Sequence, residues 1–258
     1  MAHLKNSRLV KIVVAFVFVC LIICSSKHSV YALTKYNQEA IEKIYKDTIE
    51  DYGKVKLKKR VRRWCAHRGY SSRAPENTEA AFILAGMCDA YMAEGDVRPS
   101  KTGRPFMMHN SSLQEMTGCK EHIEKLSDSE IQSLKIDSGR NIDKFKDLKI
   151  CTFEEYLNIC RKYKMIPMVD IKTVSDKDLL EKEIKYVVRE LKERHLIKNT
   201  VITASSVEVL KLYRKYDKSA ALFFNRYAVA TKEELKEWKK VPKGDKEYEF
   251  YTKNWPTS

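Results

Sequence analysis

The feature that most restricts the fold of this 258-residue chain is an alternation that begins at Val61. Short apolar runs rich in Val, Ile, Met and Phe are separated by stretches of helical periodicity. The runs Arg63 to Ala66, Tyr91 to Val97, Pro105 to His109, Ile166 to Ile171, Thr200 to Ala204 and Ala220 to Phe224 read as strands. Between them, Thr152 and Glu155 form a capping box ahead of a helix from Tyr156 to Tyr163. Ser175 and Asp178 open a long helix to about Arg194, with Leu180, Ile184, Val187, Val188 and Leu191 on one stripe. Ser206 precedes a helix from Val207 to Tyr216. Such βα alternation predicts an α/β protein with a parallel sheet, open or closed into a barrel.

Leu113 to Lys149 interrupts the pattern. It is polar, carries Gly118 and Gly139, and has one short helical piece from Ser127 to Leu134, so about 111–150 reads as an insertion on the loop side of the sheet. At its start, Asn110-Ser111-Ser112 fits a glycosylation acceptor, relevant in a eukaryotic secretory pathway. Ahead of the alternation, Thr34 to Asp51 reads as a helix with Ile41, Ile44, Tyr45 and Ile49 at helical spacing. A basic connector from Lys54 to Arg63 follows, and residues 33–62 form a separate N-terminal unit. Beyond Phe224 only Tyr248 to Tyr251 looks strand-like. Six to seven strands are therefore recognisable; either the chain is a fragment or degraded copy of a larger fold, or the N-terminal helix or a second chain covers the open edge.

Residues 1–32 read as a leader outside the fold. Lys5, Arg8 and Lys11 precede the apolar run Ile12 to Cys24, and Val30-Tyr31-Ala32 presents small residues for cleavage. The run is short of the roughly 20 residues of a membrane span, so a cleaved signal peptide is favoured over an N-terminal anchor. The expected location is secreted or extracytoplasmic. Removing the leader takes four of the 49 basic residues and none of the 35 acids, so a net charge of +14 falls to +10. This excess favours anionic partners such as phosphorylated substrates, an anionic membrane or a wall polymer. Nucleic acid ranks last, because it would explain the charge but not the polar residues that collect at the strand ends. Five cysteines remain after cleavage, an odd number. Export permits disulfides, and burial as small hydrophobes explains the cysteines at least as well.

Polar residues collect at the strand ends. His67 and Arg68 follow the first strand. Glu94 and Asp96 are two apart and so face one side of the second, with Gly95 leaving the other side open to close approach. His109 ends the third candidate, and Asp170 and Lys172 lie at the end of the run IPMVDIK. In a parallel barrel all such ends open on one face. Three carboxylates there can hold one hard cation, Mg²⁺ or Ca²⁺. Arg68 and Lys172 can meet phosphate oxygens, and two histidines can divide acid and base roles.

These residues sit in blocks that resemble the glycerophosphodiester phosphodiesterases, within the wider group of phospholipase-C-like barrel phosphodiesterases. The resemblance runs from about Arg63 to Phe224. It is carried by AHRGYSSRAPENTEAAF, AEGDV with PFMMHN and SLQEMTG, KLSDSEIQSL, ICTFEEYL, IPMVDIK and TVITASS. It implies that 63–258 is a (β/α)₈ TIM barrel that hydrolyses glycerophosphodiesters to glycerol phosphate and an alcohol with one divalent ion. His67 and His109 would match the catalytic histidines, and Glu94, Asp96 and Asp170 the metal ligands. Arg68 and Lys172 would match phosphate-binding positions. Two positions depart from the pattern: Asp170 stands where glutamate is usual, and Asn110 where aspartate is usual. Aspartate at the first of these resembles the sphingomyelinase-D-type enzymes, so choline lipids and teichoic polymers are alternative substrates. A catalytically impaired member that binds phosphodiesters or anionic surfaces is a further alternative.

Overall fold

The computed structural model describes residues 33–53, 64–225 and 231–242. The leader at 1–32, the basic connector at 54–63 and the strand-like run at 248–251 lie outside them. Strands β1 (Cys65–Ala66), β2 (Met92–Pro99), β4 (Ile166–Ile171), β5 (Val201–Ala204) and β6 (Ala221–Phe224) form one parallel sheet in the order β1-β2-β4-β5-β6. The helices α2 (Glu79–Met87), α5 (Phe153–Lys162), α6 (Lys177–Glu193) and α7 (Val207–Tyr216) follow β1, β3, β4 and β5. Strand β3 (Pro105–Met107) is the exception: it pairs antiparallel with the end of β2, Val97 facing Met107 and Pro99 facing Pro105. His109 therefore does not leave a parallel strand end, as the alternation predicted. The hairpin carries it back alongside β2, and the Met108 N–H donates to Asp96 O at 3.0 Å.

Register sorts one face of the sheet into tiers. Cys65, Met92 and Ile166 align at the bottom; Glu94, Met168, Val201 and Ala221 align in the middle; Asp96, Asp170, Thr203 and Phe223 align at the top. The lower residues Met92, Met168, Val201 and Ala221 form an apolar cluster with Cys65, Ile166 and Phe223 against it. The acids thus stand at the carboxyl ends of the strands, above an apolar plug. On the other face helices cover the sheet. Gly95 is needed there, because a Cβ would lie 2.5 Å from Met107 Cε and 3.0 Å from Phe82 Cζ. Tyr156 of α5 donates to Ala93 O at 2.7 Å, which ties that helix to β2. The sheet is open among the described residues: five parallel strands stand in the order of a (β/α)₈ architecture, and the third of the six expected strands is instead the antiparallel arm of a hairpin on β2.

Local sequence accounts for most helix ends. Thr152 and Glu155 close their capping box, and so do Ser127 and Glu130 ahead of α4 (Asp128–Ser133). At α6 the cap is Asp176, which accepts from the N–H groups of Asp178 and Leu179, and not the expected Ser175. Ser206 occupies the cap position of α7 without a side-chain cap bond. The stripe Leu180, Ile184, Val187, Val188 and Leu191 is buried as its periodicity predicts, each side chain contributing roughly 1.5–3 kcal/mol. In α1 (Lys35–Gly53) the buried stripe is Asn37, Ile41, Ile44 and Thr48, while Ile49 is exposed. Asn37 explains the rotation. Its amide donates to Lys146 O at 2.8 Å and accepts from the Lys146 N–H at 2.8 Å, so a polar contact sets which face docks on the insertion. The five cysteines of the described residues carry free thiols.

Glu183 lies on the buried face of α6 with neither carboxyl oxygen hydrogen-bonded among the described residues. Burial pushes its pKa well above the usual range; Glu124 adds to the rise and Arg98 opposes it. A raised folded-state value means the folded chain keeps a proton that the unfolded chain releases. Its stability contribution is complete below the ordinary glutamate pKa and is lost as pH climbs toward the folded value. Glu183→Gln should leave the melting temperature almost unchanged at about pH 4 and raise it at about pH 8. The gap should widen by up to about 1.4 kcal/mol per pH unit; a gap that stays constant between these pH values would refute the assignment.

Candidate functional site

The strand tiers place the predicted carboxylates together. Ligand oxygens of Glu94, Asp96 and Asp170 all lie within 4.8 Å of one another, and all three residues are buried. Three such anions repel one another and lose hydration, so the site supplies cations. Lys172 Nζ is 2.6 Å from Asp96 Oδ1 and 2.5 Å from Asp170 Oδ2, bridging the two strands. Arg68 Nε is 3.3 Å from Asp96 Oδ2. Its N–H is misaligned for a hydrogen bond, so that contact is Coulombic. The other end of the Arg68 guanidinium holds both oxygens of Glu76, at 3.0 and 2.9 Å. His67 Nε2 is 3.9 Å from Glu94 Oε2 at the solvent edge of the group.

The loop after β1 is shaped to reach this group. Arg68 and Gly69 both have positive φ, 54° and 73°. This left-handed pair turns the Arg68 N–H onto Glu94 Oε2 at 2.8 Å and the Gly69 N–H onto Glu94 O at 3.2 Å. Glycine is required at 69 twice over, since a Cβ there would meet the Ala81 carbonyl carbon at 2.7 Å. Asn77, also left-handed at φ 55°, makes a reciprocal pair with Asp96. Its Nδ2 donates to Asp96 Oδ2 at 2.8 Å, and its Oδ1 accepts from the Asp96 N–H at 3.1 Å.

These partners split the carboxylate pKa values. Burial, with Asp96 beside it, pushes Glu94 up to about 8. Burial also raises Asp170 against the pull of Lys172. It acts on Asp96 in the same sense, but the Lys172 ammonium and the Asn77 amide overcome it and hold Asp96 below the usual range. For Lys172, burial is outweighed by Asp96 and Asp170, which raise it. Burial and then the Arg68 charge lower His67.

His109 arrives by the hairpin, its carbonyl held by Arg98 Nε at 2.8 Å. Its Nδ1 is 2.7 Å from Asn110 Oδ1, while Asn110 Nδ2 donates to Glu115 Oε2 at 2.8 Å. A carboxylate can only accept, so Glu115 fixes which end of the amide faces the ring. Nδ1 of His109 then carries the hydrogen, and Nε2 of the neutral ring is the proton acceptor. Reasoning from sequence singled out His67, Arg68, Glu94, Asp96, His109, Asp170 and Lys172. It missed Glu76, Asn77, Arg98 and Glu115. Glu76 and Asn77 lay inside a quoted motif and looked like a helix lead-in. Arg98 is two residues beyond Asp96 on β2 and could have been found by extending the same alternation.

Asp170 Oδ1 is buried without a hydrogen-bond partner among the described residues. An orphaned carboxylate oxygen beside two other acids is what a hard cation would satisfy, and the all-oxygen donor set suits one. The trio therefore fits a divalent ion.

A profile of the glycerophosphoryl diester phosphodiesterase family matches residues 67–247. The chain belongs to this family. Glycerophosphodiester phosphodiesterase 1 of Mus musculus is 26% identical over 153 residues, 59% of this chain and 45% of that protein. The chain thus aligns with less than half of that relative's length. A phosphodiesterase of Oleispira antarctica, solved with the product sn-glycerol-3-phosphate, superposes with a TM-score of 0.62 at 26% identity. That match covers 69% of this chain and 72% of the other. A glycerophosphodiester phosphodiesterase of Parabacteroides distasonis shares the fold at 20% identity and a TM-score of 0.56, covering 68% and 69%. Membership of the phosphodiesterase family covers the whole constellation from His67 to Lys172.

Asn77→Ala is expected to destabilise the fold by about 2–4 kcal/mol, because it strips Asp96 of a donor and leaves its buried N–H unpaired. Urea unfolding checks this, and a loss below about 1 kcal/mol would show that water replaces the amide freely.

Proposed function

We propose that the chain hydrolyses a glycerophosphodiester to glycerol phosphate and an alcohol. The observation that carries this reading is the convergence of Glu94, Asp96 and Asp170 beside Lys172 and Arg68, with His67 at 3.9 Å from Glu94 and His109 one residue beyond the Met108 that bonds the Asp96 carbonyl. Glu94, Asp96 and Asp170 would hold one divalent ion, Mg²⁺ or Ca²⁺, which supplies a Lewis acid for the phosphate charge.

The chain's own residues divide the remaining work. Arg68 is clamped by Glu76 and steered by Asp96, so its guanidinium is a preorganised cation for a phosphate oxygen. Lys172 is a mobile point charge in place of a fork, and it can turn from the carboxylates toward the phosphate. His109, with Nδ1–H held by Asn110, exchanges a proton through Nε2. His67 faces solvent at the opposite edge and serves the other proton transfer. One ring takes a proton from the nucleophile and the other gives one to the leaving oxygen. The apolar tier below the acids keeps water out from beneath, which strengthens each charge–charge contact above it.

The leader read at residues 1–32 supports export, and the excess of basic residues supports work near an anionic membrane or wall surface.

The chain from residue 33 onward is expected to release glycerol phosphate from glycerophosphodiesters in Mg²⁺ or Ca²⁺ and to stop on chelation. His67→Ala and His109→Ala should each lower kcat by about 10²–10⁴-fold. Turnover that survives both chelation and His67→Ala would sink the mechanism. Asn110→Asp keeps an oxygen toward Nδ1, loses the amide donor to Glu115, and should retain most activity. Asn110→Leu removes the acceptor and should lower kcat by about tenfold or more, with KM little changed.

A further inference from the structure

His109 lies just past the paired part of its hairpin. Strand β3 ends at Met107, and the Met108 N–H bonds Asp96 O at 3.0 Å. At the next residue the hold comes from a side chain: the His109 carbonyl accepts from Arg98 Nε at 2.8 Å. A long side chain fixes a backbone only if its own far end is fixed.

The insertion supplies that anchor. Arg98 Nη1 meets Glu124 Oε1 at 3.1 Å, and the two side chains are only 15% and 16% exposed. Glu124 stands on the short 3₁₀ turn Ile123–Lys125. Its second oxygen, Oε2, accepts from Ser111 Oγ at 2.6 Å, and Ser111 is two residues beyond His109. A carboxylate only accepts, so the Ser111 hydrogen points to Glu124, and His122 Nδ1, 2.7 Å away, donates to the Ser111 oxygen. The contacts close into a circuit: His109 carbonyl, Arg98, Glu124, Ser111, and back along the chain to His109. The backbone fastens the same turn to the same segment. The Ile123 N–H donates to Ser111 O at 2.9 Å, and the Leu113 N–H donates to Glu121 O at 3.1 Å. Glu183 of α6 also lies in the field of Arg98, but burial keeps its proton on. Glu124 is the carboxylate that pairs with the guanidinium, and both of its oxygens are committed to the circuit.

We propose that Glu124 is a positioning residue for His109: it fixes Arg98, and Arg98 fixes the backbone that carries the imidazole into the site. This rests on the hydrolytic reading above for its effect on rate, while the placement of the imidazole can be read without turnover. A misplacement of about 1 Å at a reacting group can cost about 10²-fold. In the full chain with Mg²⁺, Glu124→Ala should therefore lower kcat for glycerophosphodiester hydrolysis by about 10–100-fold, with KM little changed. Glu124→Gln keeps an acceptor for Arg98 and a partner for Ser111, and should recover most of the loss. Glu124→Ala leaves Arg98 buried without its charge partner, which can impair folding. The double variant Arg98→Met with Glu124→Leu leaves no stranded charge and should show the same loss in kcat. The decisive comparison is the His109→Ala background, where Glu124→Ala should change the residual rate by less than about twofold. Equal losses with and without His109, or a Gln variant as slow as the Ala variant, would overturn the proposal. Imidazole proton–nitrogen correlation spectra give the second readout. The His109 signals should shift or broaden in Glu124→Ala and in the double variant, while those of His67 stay in place; unmoved His109 signals would overturn the proposal. A parent chain that hydrolyses no diester, with these spectral changes present, would instead remove the hydrolytic reading and leave the positioning of His109 standing.

Discussion

Three carboxylates share one buried end of a parallel sheet, and the rest of the site answers to their mutual repulsion. Unpaired, each would carry a desolvation penalty of several kcal/mol, enough to rival the stability of a whole domain. The chain meets this with two cations and two neutral donors. Lys172 bridges Asp96 and Asp170, Arg68 faces Asp96, Asn77 donates to Asp96, and the Arg68 N–H donates to Glu94. Asp96 collects most of this support and stays ionised easily, whereas Glu94 and Asp170 are left with raised values. Charge is thus compensated unevenly, and the deficit falls where a cation from solution would complete it.

The same constraint explains the local backbone. The left-handed pair Arg68-Gly69 turns the loop after β1 back onto β2, where its two N–H groups meet the carboxylate and the carbonyl of Glu94. Helix α2 then packs so closely behind Gly69 that no larger residue fits. Site geometry and helix packing are therefore fixed by one turn. A change at Gly69 would disturb both, and a change at Asn77 would strip Asp96 of its amide partner and strain a left-handed turn.

Much of this was legible in the sequence, for identifiable reasons. Strand periodicity put Glu94 with Asp96 and gave Asp170 and Lys172 a common strand end, because a residue spacing of two is rigid in a strand. The capping box at Thr152, the stripe of α6 and the close approach at Gly95 were readable for similar reasons of short-range geometry. What stayed hidden depends on contacts distant in sequence. The reversal of β3 is invisible in a run such as PFMMH, which reads alike in either direction. Asn37 rotates α1 through a bond to Lys146. Asp176 displaces Ser175 as the cap because a carboxylate accepts two N–H groups at once. Arg98 gains its place from His109 and Glu124, which only the folded hairpin and insertion bring to it.

The aspartate at 170 has a physical consequence of its own. It faces Asp96 across β2 and β4 and Thr203 across β4 and β5. With one methylene fewer than glutamate it stays close to its strand, where Oδ2 meets Lys172 while Oδ1 has no hydrogen-bond partner among the described residues. Thr203 Oγ1, its neighbour in register, is equally buried and equally unpartnered. Burying such an oxygen without a partner costs about 1–3 kcal/mol, and the two residues stand on neighbouring strands at the polar end of the sheet. Thr203 on β5 stands in the same register tier as Asp96 and Asp170, so the polar end of the sheet extends across β2, β4 and β5.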